Sequence, residues 1–118
     1  MTITRIAGGS AGRSSGTAYG DLVWAVAVDP AKSADMASQT RGTLARIDEI
    51  LAAGGTDKSR ILNATVYVAF MDQKGEMNAV WTEWAGDDPA GWPQRACIGT
   101  DLAPGTQVEI VVVAARGG

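Results

Sequence analysis

Two ionisable residues stand where the surrounding pattern expects apolar ones. Glu109 lies inside the run Val108-Glu109-Ile110-Val111-Val112-Val113. A carboxylate buried there without a partner would be heavily destabilising, so it must be hydrogen-bonded, paired or kept in its protonated form. Arg95 follows Trp92-Pro93-Gln94, at the start of a run with strand character. Its guanidinium is a planar fork of donors that matches a carboxylate. Residue types alone leave two readings open. Arg95 and Glu109 form a structural ion pair, or they form a small anionic-substrate site in which Arg95 binds a carboxylate and Glu109 handles a water.

The rest of the composition narrows the chemistry. The chain has no histidine, which removes Ser-His-Asp and Cys-His catalysis, a histidine general base and His-ligated zinc. The one cysteine, Cys97, allows neither an internal disulfide nor a cysteine-rich metal site, and no base stands near it in sequence to make it a nucleophile. Formal charge is 10 − 13 = −3 with no basic cluster, so nucleic-acid binding lacks its electrostatic footprint. No apolar run reaches membrane-span length, and Met1 to Gly9 contains no signal-peptide core, so a cytoplasmic protein is expected. Gly9 to Ser14 has a superficial likeness to a phosphate loop but lacks its lysine, spacing and following helix; a loop rimming a cleft is the better reading. Asp87-Asp88 reads as a solvated loop.

At 118 residues the chain is one domain, spanning 1–118. Residues 2–7 alternate as a short strand, and 8–16 read as a Gly/Ser loop. Thr17–Gly20 and Leu22–Val28 form a hairpin turning at Gly20-Asp21, with Leu22, Trp24, Val26 and Val28 on one face and the smaller Val23, Ala25 and Ala27 on the other. From Ser33, the expected N-cap, to Ala53, Met36, Thr40, Leu44, Ile47 and Leu51 recur at helical spacing, and Gly54-Gly55 provides the stop. Ile61–Phe70 is a strand and Gly75–Ala85 a second helix, with Met77, Val80, Trp81 and Trp84 as its packing stripe. Gln94–Thr100 and Gln107–Ala115 complete the strands, the last one apolar on both faces as a central strand is.

The order β-β-β-α-β-α-β-β predicts an α+β fold, one mixed sheet of about six strands with two helices packed on one face. A single helical layer leaves the other face to be covered. Charged residues are only 19% of the chain, which fits cover by further copies of itself.

Pro93-Gln94-Arg95-Ala96-Cys97-Ile98, then Leu102-Ala103-Pro104, then Val108-Glu109-Ile110 resemble the C-terminal signature of the Rid family (reactive intermediate deaminases, YjgF-like). Met77 to Trp84 is similar to that family's Asn-x-(apolar)-aromatic helix, and Gln39-Thr40-Arg41 to Leu44 and Gly55 to Val68 also fit. The resemblance covers about residues 15 to 115. It implies a chorismate-mutase-like fold, a homotrimer whose sheets form an inner barrel, and sites in the clefts between neighbouring subunits. It implies hydrolysis of a reactive enamine or imine to a 2-keto acid and ammonia, without metal or organic cofactor. Arg95 takes the place of the family arginine that grips the substrate carboxylate, and Glu109 that of the carboxylate that positions water. Asn78 and Cys97 match cleft-lining positions.

The sequence departs from the family at two places. Where the family has a Ser-Gly-Gln-like turn, Trp24-Ala25-Val26-Ala27-Val28-Asp29 offers no hydroxyl or amide, and the family's loop aromatic is replaced near Arg13-Ser14-Ser15. The site wall is then more apolar at one edge and more basic, through Arg13, at another, which points to a larger or differently charged substrate. A non-catalytic binding protein for a small carboxylate ligand is the alternative function.

Overall fold

The computed structural model describes residues 1–117. Six strands, β1 (Thr4–Ala7), β2 (Ser14–Tyr19), β3 (Leu22–Val28), β4 (Ile61–Val68), β5 (Gln94–Gly99) and β6 (Val108–Ala115), form one sheet in the order β1-β2-β3-β6-β4-β5. Every neighbouring pair is antiparallel except β4 and β5, which run parallel and are joined through a helix. The helices α1 (Met36–Ala53) and α2 (Lys74–Ala85) cover one face. This is the α+β architecture that the residue patterns predict.

Side-chain alternation explains the layering. Val23, Ala25 and Ala27 of β3 point into the helix layer with Ala64, Val66 and Val68 of β4 and Val108, Ile110, Val112 and Ala114 of β6, and all are buried. They meet Met36, Leu44, Ile47, Ile50 and Leu51 of α1 and Met77, Val80 and Trp81 of α2. Glycine lets two elements approach closely. A Cβ on Gly16 would lie 2.6 Å from Ile50 Cγ2 and 2.9 Å from the Trp24 carbonyl oxygen, and one on Gly42 would collide with the Asp29 carboxylate.

The ends of α1 show where local chemistry corrects the sequence reading. Asp35, not Ser33, is the N-cap, its carboxylate accepting the Ser38 N–H at 2.7 Å. Ser33 lies two residues before that cap, in the turn where its N–H is bound to Asp29. At the other end the Gly55 N–H reaches the Ala52 carbonyl and the Thr56 N–H the Leu51 carbonyl, with Gly55 at φ 86°. That is a Schellman stop, and the glycine pair supplies it as expected. The strand β2 begins at Ser14, inside the stretch read as loop, because Ser14, Gly16 and their neighbours pair with β1 and β3. Among the described residues, no helix is long and apolar enough to cross a membrane.

The opposite face of the sheet is open in the single chain. Trp24 and Val26 of β3, Val111 of β6 and Ile98 of β5 are exposed there, with 36% of Val111 accessible on the central strand. β6 does occupy the centre of the sheet, between β3 and β4, but only its helix-facing side is buried in one chain.

Candidate functional site

The residues singled out from the sequence fall into two groups on opposite sides of the sheet. The first group surrounds Arg95 on the edge strand β5. Arg95 pairs in register with Ala64, and Cys97 with Val66, so both point to the helix layer. There the Arg95 Nη2 donates to Asn78 Oδ1 at 2.7 Å, Nη1 lies 3.6 Å from Met77 Sδ, and the guanidinium carbon stands 5.1 Å from the centre of the Trp81 ring. Helix α2 therefore holds the arginine from behind with an amide and an aromatic face, and neither brings a counter-charge. Cys97 is half-buried and packs on the core two residues along the same strand. Trp81 is core, and it also serves as the platform under Arg95.

The second group surrounds Glu109. This residue pairs with Val28 of β3 and Tyr67 of β4, and its side chain projects onto the open face, half-buried. It lines a cleft of about 470 Å³ together with Arg13, Lys32, Arg46, Thr106 and the apolar Val26 and Val28. The Gly8–Ser15 segment rims this cleft and contributes Arg13, Ser14 and Ser15. Lys32 and Thr106 were not anticipated. They come from the turns after β3 and before β6, and the Lys32 Nζ donates to Thr106 Oγ1 at 3.1 Å. Arg46 forms the single ion pair among the described residues, with Glu49 at 3.3 Å.

A structural ion pair between Arg95 and Glu109 is thereby ruled out within one chain. The two strands are separated by β4, and the paired positions Ala64 and Tyr67 are offset by 67 − 64 = 3 residues. Strand spacing and rise place their Cα atoms roughly 14 Å apart, with the side chains on opposite faces. The register that sends Ala64 into the core sends Arg95 the same way, while the alternation along β6 turns Glu109 outward.

Buried hydrogen bonds fix the turn that carries Lys32. Asp29 is 3% exposed and accepts the N–H groups of Ala31 at 3.0 Å and Ser33 at 2.8 Å. Burial by itself pushes its carboxyl up, but the hydrogen bonds from Ser33 and Ala31 and the charge of Lys32 outweigh it and hold it below the usual value of 3.8. Gln39, also buried, ties this turn to the one before β6, donating to the carbonyls of Ser33 and Gly105 and accepting the Gln107 N–H, each at 2.8 Å.

A group whose folded pKa is depressed stabilises the fold above its unfolded value, and that contribution disappears as pH falls through the folded pKa. Asp29→Asn is accordingly expected to cost about 1–3 kcal/mol at pH 7, because one N–H donor would face the new amide NH₂. The deficit narrows below pH 3.8. Urea midpoints of both proteins at pH 7 and pH 3, at one protein concentration, measure it. A gap that stays constant would show that the charge on Asp29 contributes nothing.

Comparisons with known proteins agree with this architecture. The family described as Endoribonuclease L-PSP matches residues 19–116. The RutC family protein YoaB of Escherichia coli (strain K12) is 35% identical over 117 residues, which are 98% of this chain and 99% of that protein. The 2-iminobutanoate/2-iminopropanoate deaminase of Escherichia coli (strain K12) is 29% identical over 84 residues, 70% of this chain and 66% of that one. Among solved structures, NMB1025 of Neisseria meningitidis, a member of the YjgF protein family, superposes with a TM-score of 0.87 at 32% identity, covering 100% of this chain and 98% of that one. With both the sequence and the six-stranded architecture matched over nearly their whole length, the chain belongs to the Endoribonuclease L-PSP family, the YjgF-like Rid group.

Proposed function

We propose that the protein hydrolyses a reactive imine or enamine of a carboxylic acid, at sites each assembled from two copies of the chain in a homotrimer. The observation that carries this reading is the division of the site. Arg95, with its Asn78 and Trp81 supports, lies on one face, and Glu109, with its cleft, lies on the other. Neither forms an ion pair in its own chain among the described residues. A site that uses both must take Arg95 from one copy and Glu109 from the next. The exposed apolar strip of Trp24, Val26 and Val111 supports cover of the open face by other copies. The name of the deaminase relative supports the reaction class.

In this reading Arg95 holds the substrate carboxylate, and Asn78 and Cys97 line the same half of the cleft. Glu109 takes a proton from water as the oxygen adds to the C=N carbon, giving a carbinolamine. That proton goes to the nitrogen as the carbinolamine forms; Glu109 then carries the carbinolamine hydroxyl proton to nitrogen as the C–N bond breaks and the C=O bond forms, so that imine and water become keto acid and ammonia. The imine is already electrophilic, and positioning with proton transfer supplies the catalysis. One feature favours the alternative, a carboxylate-binding protein without turnover: β3 contributes Val26, Ala27 and Val28 to the cleft, with no hydroxyl or amide among them.

Hybrid trimers test the reading. Arg95→Ala and Glu109→Gln subunits, each nearly inactive alone at subsaturating imine, are unfolded, mixed in equal amounts and refolded. About three quarters of random trimers are mixed, and every mixed ring contains one junction with both native residues, so activity returns to about one quarter of wild type. A site contained in one subunit would return none.

A further inference from the structure

We infer that the cleft at Glu109 recognises a second anionic group, so that the preferred substrate is a 2-imino dicarboxylate. The inference rests on the imine-hydrolase reading and specifies its substrate class. Charge is the first observation. Of ten Lys and Arg residues in a chain of net charge −3, three line this cleft, while Glu109 is its single carboxylate. With Arg46 paired to Glu49, Arg13 and Lys32 against Glu109 leave the cleft a formal charge of 2 − 1 = +1 inside an acidic protein. A substrate whose one carboxylate goes to Arg95 leaves that charge unanswered.

The three cations are not equivalent. The Arg46 guanidinium is already engaged, paired with Glu49 at 3.3 Å and directed at the Ala7 carbonyl and the Ser15 hydroxyl. Arg13 makes no ion pair among the described residues, and the Lys32 ammonium spends one of its three donors on Thr106. Arg13 and Lys32 are thus the groups available to an incoming anion.

The backbone at Lys32 is the second observation. It is the one described residue other than glycine with positive φ, at 49°. A side chain in this left-handed region costs roughly 1–2 kcal/mol, and glycine or asparagine would fit more easily. The conformation is enforced by the Lys32 N–H bond to the Asp29 carbonyl and by the buried Asp29 carboxylate beneath the turn. The turn is over-determined, and it delivers an ammonium to the wall of the cleft. Val26, Val28, Pro30 and Ala103 line the space between the polar groups, a surface suited to methylenes. An aliphatic spacer with an anion at each end matches this pattern, with the 2-carboxylate on the neighbour's Arg95, the imine carbon at Glu109 and the distal carboxylate on Arg13 and Lys32.

The test compares imines formed in situ by flavin oxidases from D-alanine and D-glutamate, with imine loss followed by semicarbazide trapping. Wild type is expected to favour the glutamate-derived imine by about tenfold or more in kcat/KM. In Arg13→Ala and Lys32→Asn, the latter chosen because asparagine accepts positive φ, that ratio falls about tenfold. Equal rates in wild type, or a ratio unmoved in both variants, would overturn the dianion while leaving imine hydrolysis standing. If neither imine is turned over, calorimetric titration decides. Binding of 2-ketoglutarate over pyruvate that is lost in Arg13→Ala keeps the dianion and removes the hydrolase; no such preference removes both.

Discussion

Arg95→Ala is expected to lower kcat/KM on an imino acid by roughly 10²- to 10³-fold, mostly through KM. A two-point, charge-assisted contact between guanidinium and carboxylate contributes about 3–4 kcal/mol, and each 1.4 kcal/mol is tenfold. The carboxylate does not react, so its anchor is present in both ground and transition states, and its loss falls mainly on KM. The fork is already oriented: Asn78 Oδ1 fixes Nη2 at 2.7 Å, and the Trp81 ring lies beneath the guanidinium. Arg95→Lys keeps the charge but not the planar pair of donors, and should recover only part of the loss. Arg95 is half-buried on an edge strand, so a small change in unfolding midpoint accompanies the kinetic loss. Steady-state kinetics on an in-situ imine, with unfolding curves of the same samples, separate the two effects. A variant that loses stability and keeps its KM would make Arg95 a packing residue on Trp81.

The types of these residues were legible in the sequence, and their facing was not. A lone carboxylate in Val108-Glu109-Ile110-Val111 and an arginine after Pro93 stand out from apolar neighbours. Which way each points depends on the parity of its position relative to β4. That parity needs the parallel β4–β5 register, set by where α2 returns the chain and not by any residue of β5. Helix α1 was visible because its buried residues repeat at helical spacing over eighteen positions. Its N-cap was misplaced by two residues because Ser33 and Asp35 are both good capping types before the apolar repeat, and only the start of the helix at Met36 selects Asp35. The first residues of β2 looked like loop because Gly16 must be small where Ile50 packs, and glycine beside serine has loop composition. Lys32 and Thr106 meet only through their hydrogen bond across two turns, 74 residues apart in sequence.

Glu109→Gln should act on the other kinetic constant, lowering kcat by roughly 10²- to 10³-fold, the size of a lost general base, with KM within about threefold. Glutamine keeps the length, the shape and one acceptor oxygen, so water still binds, but the amide takes no proton. The residue has little structural work: it forms no ion pair among the described residues and stands half-buried beside Val28 and Tyr67 on the open face. Stability should therefore be nearly unchanged, since the half-buried carboxylate makes no ion pair that the substitution would break. Single-turnover measurements at saturating imine isolate the chemical step from ammonia release. A Glu109→Gln protein with wild-type kcat would leave Arg95 as a carboxylate holder without a water to deliver, and the binding protein would replace the hydrolase. The two substitutions fail in different constants because their residues do different work, one holding an unreactive group and the other moving a proton. That split also separates both from a merely misfolded variant, in which kcat per active site and KM would stay near wild type while the fraction of active protein fell.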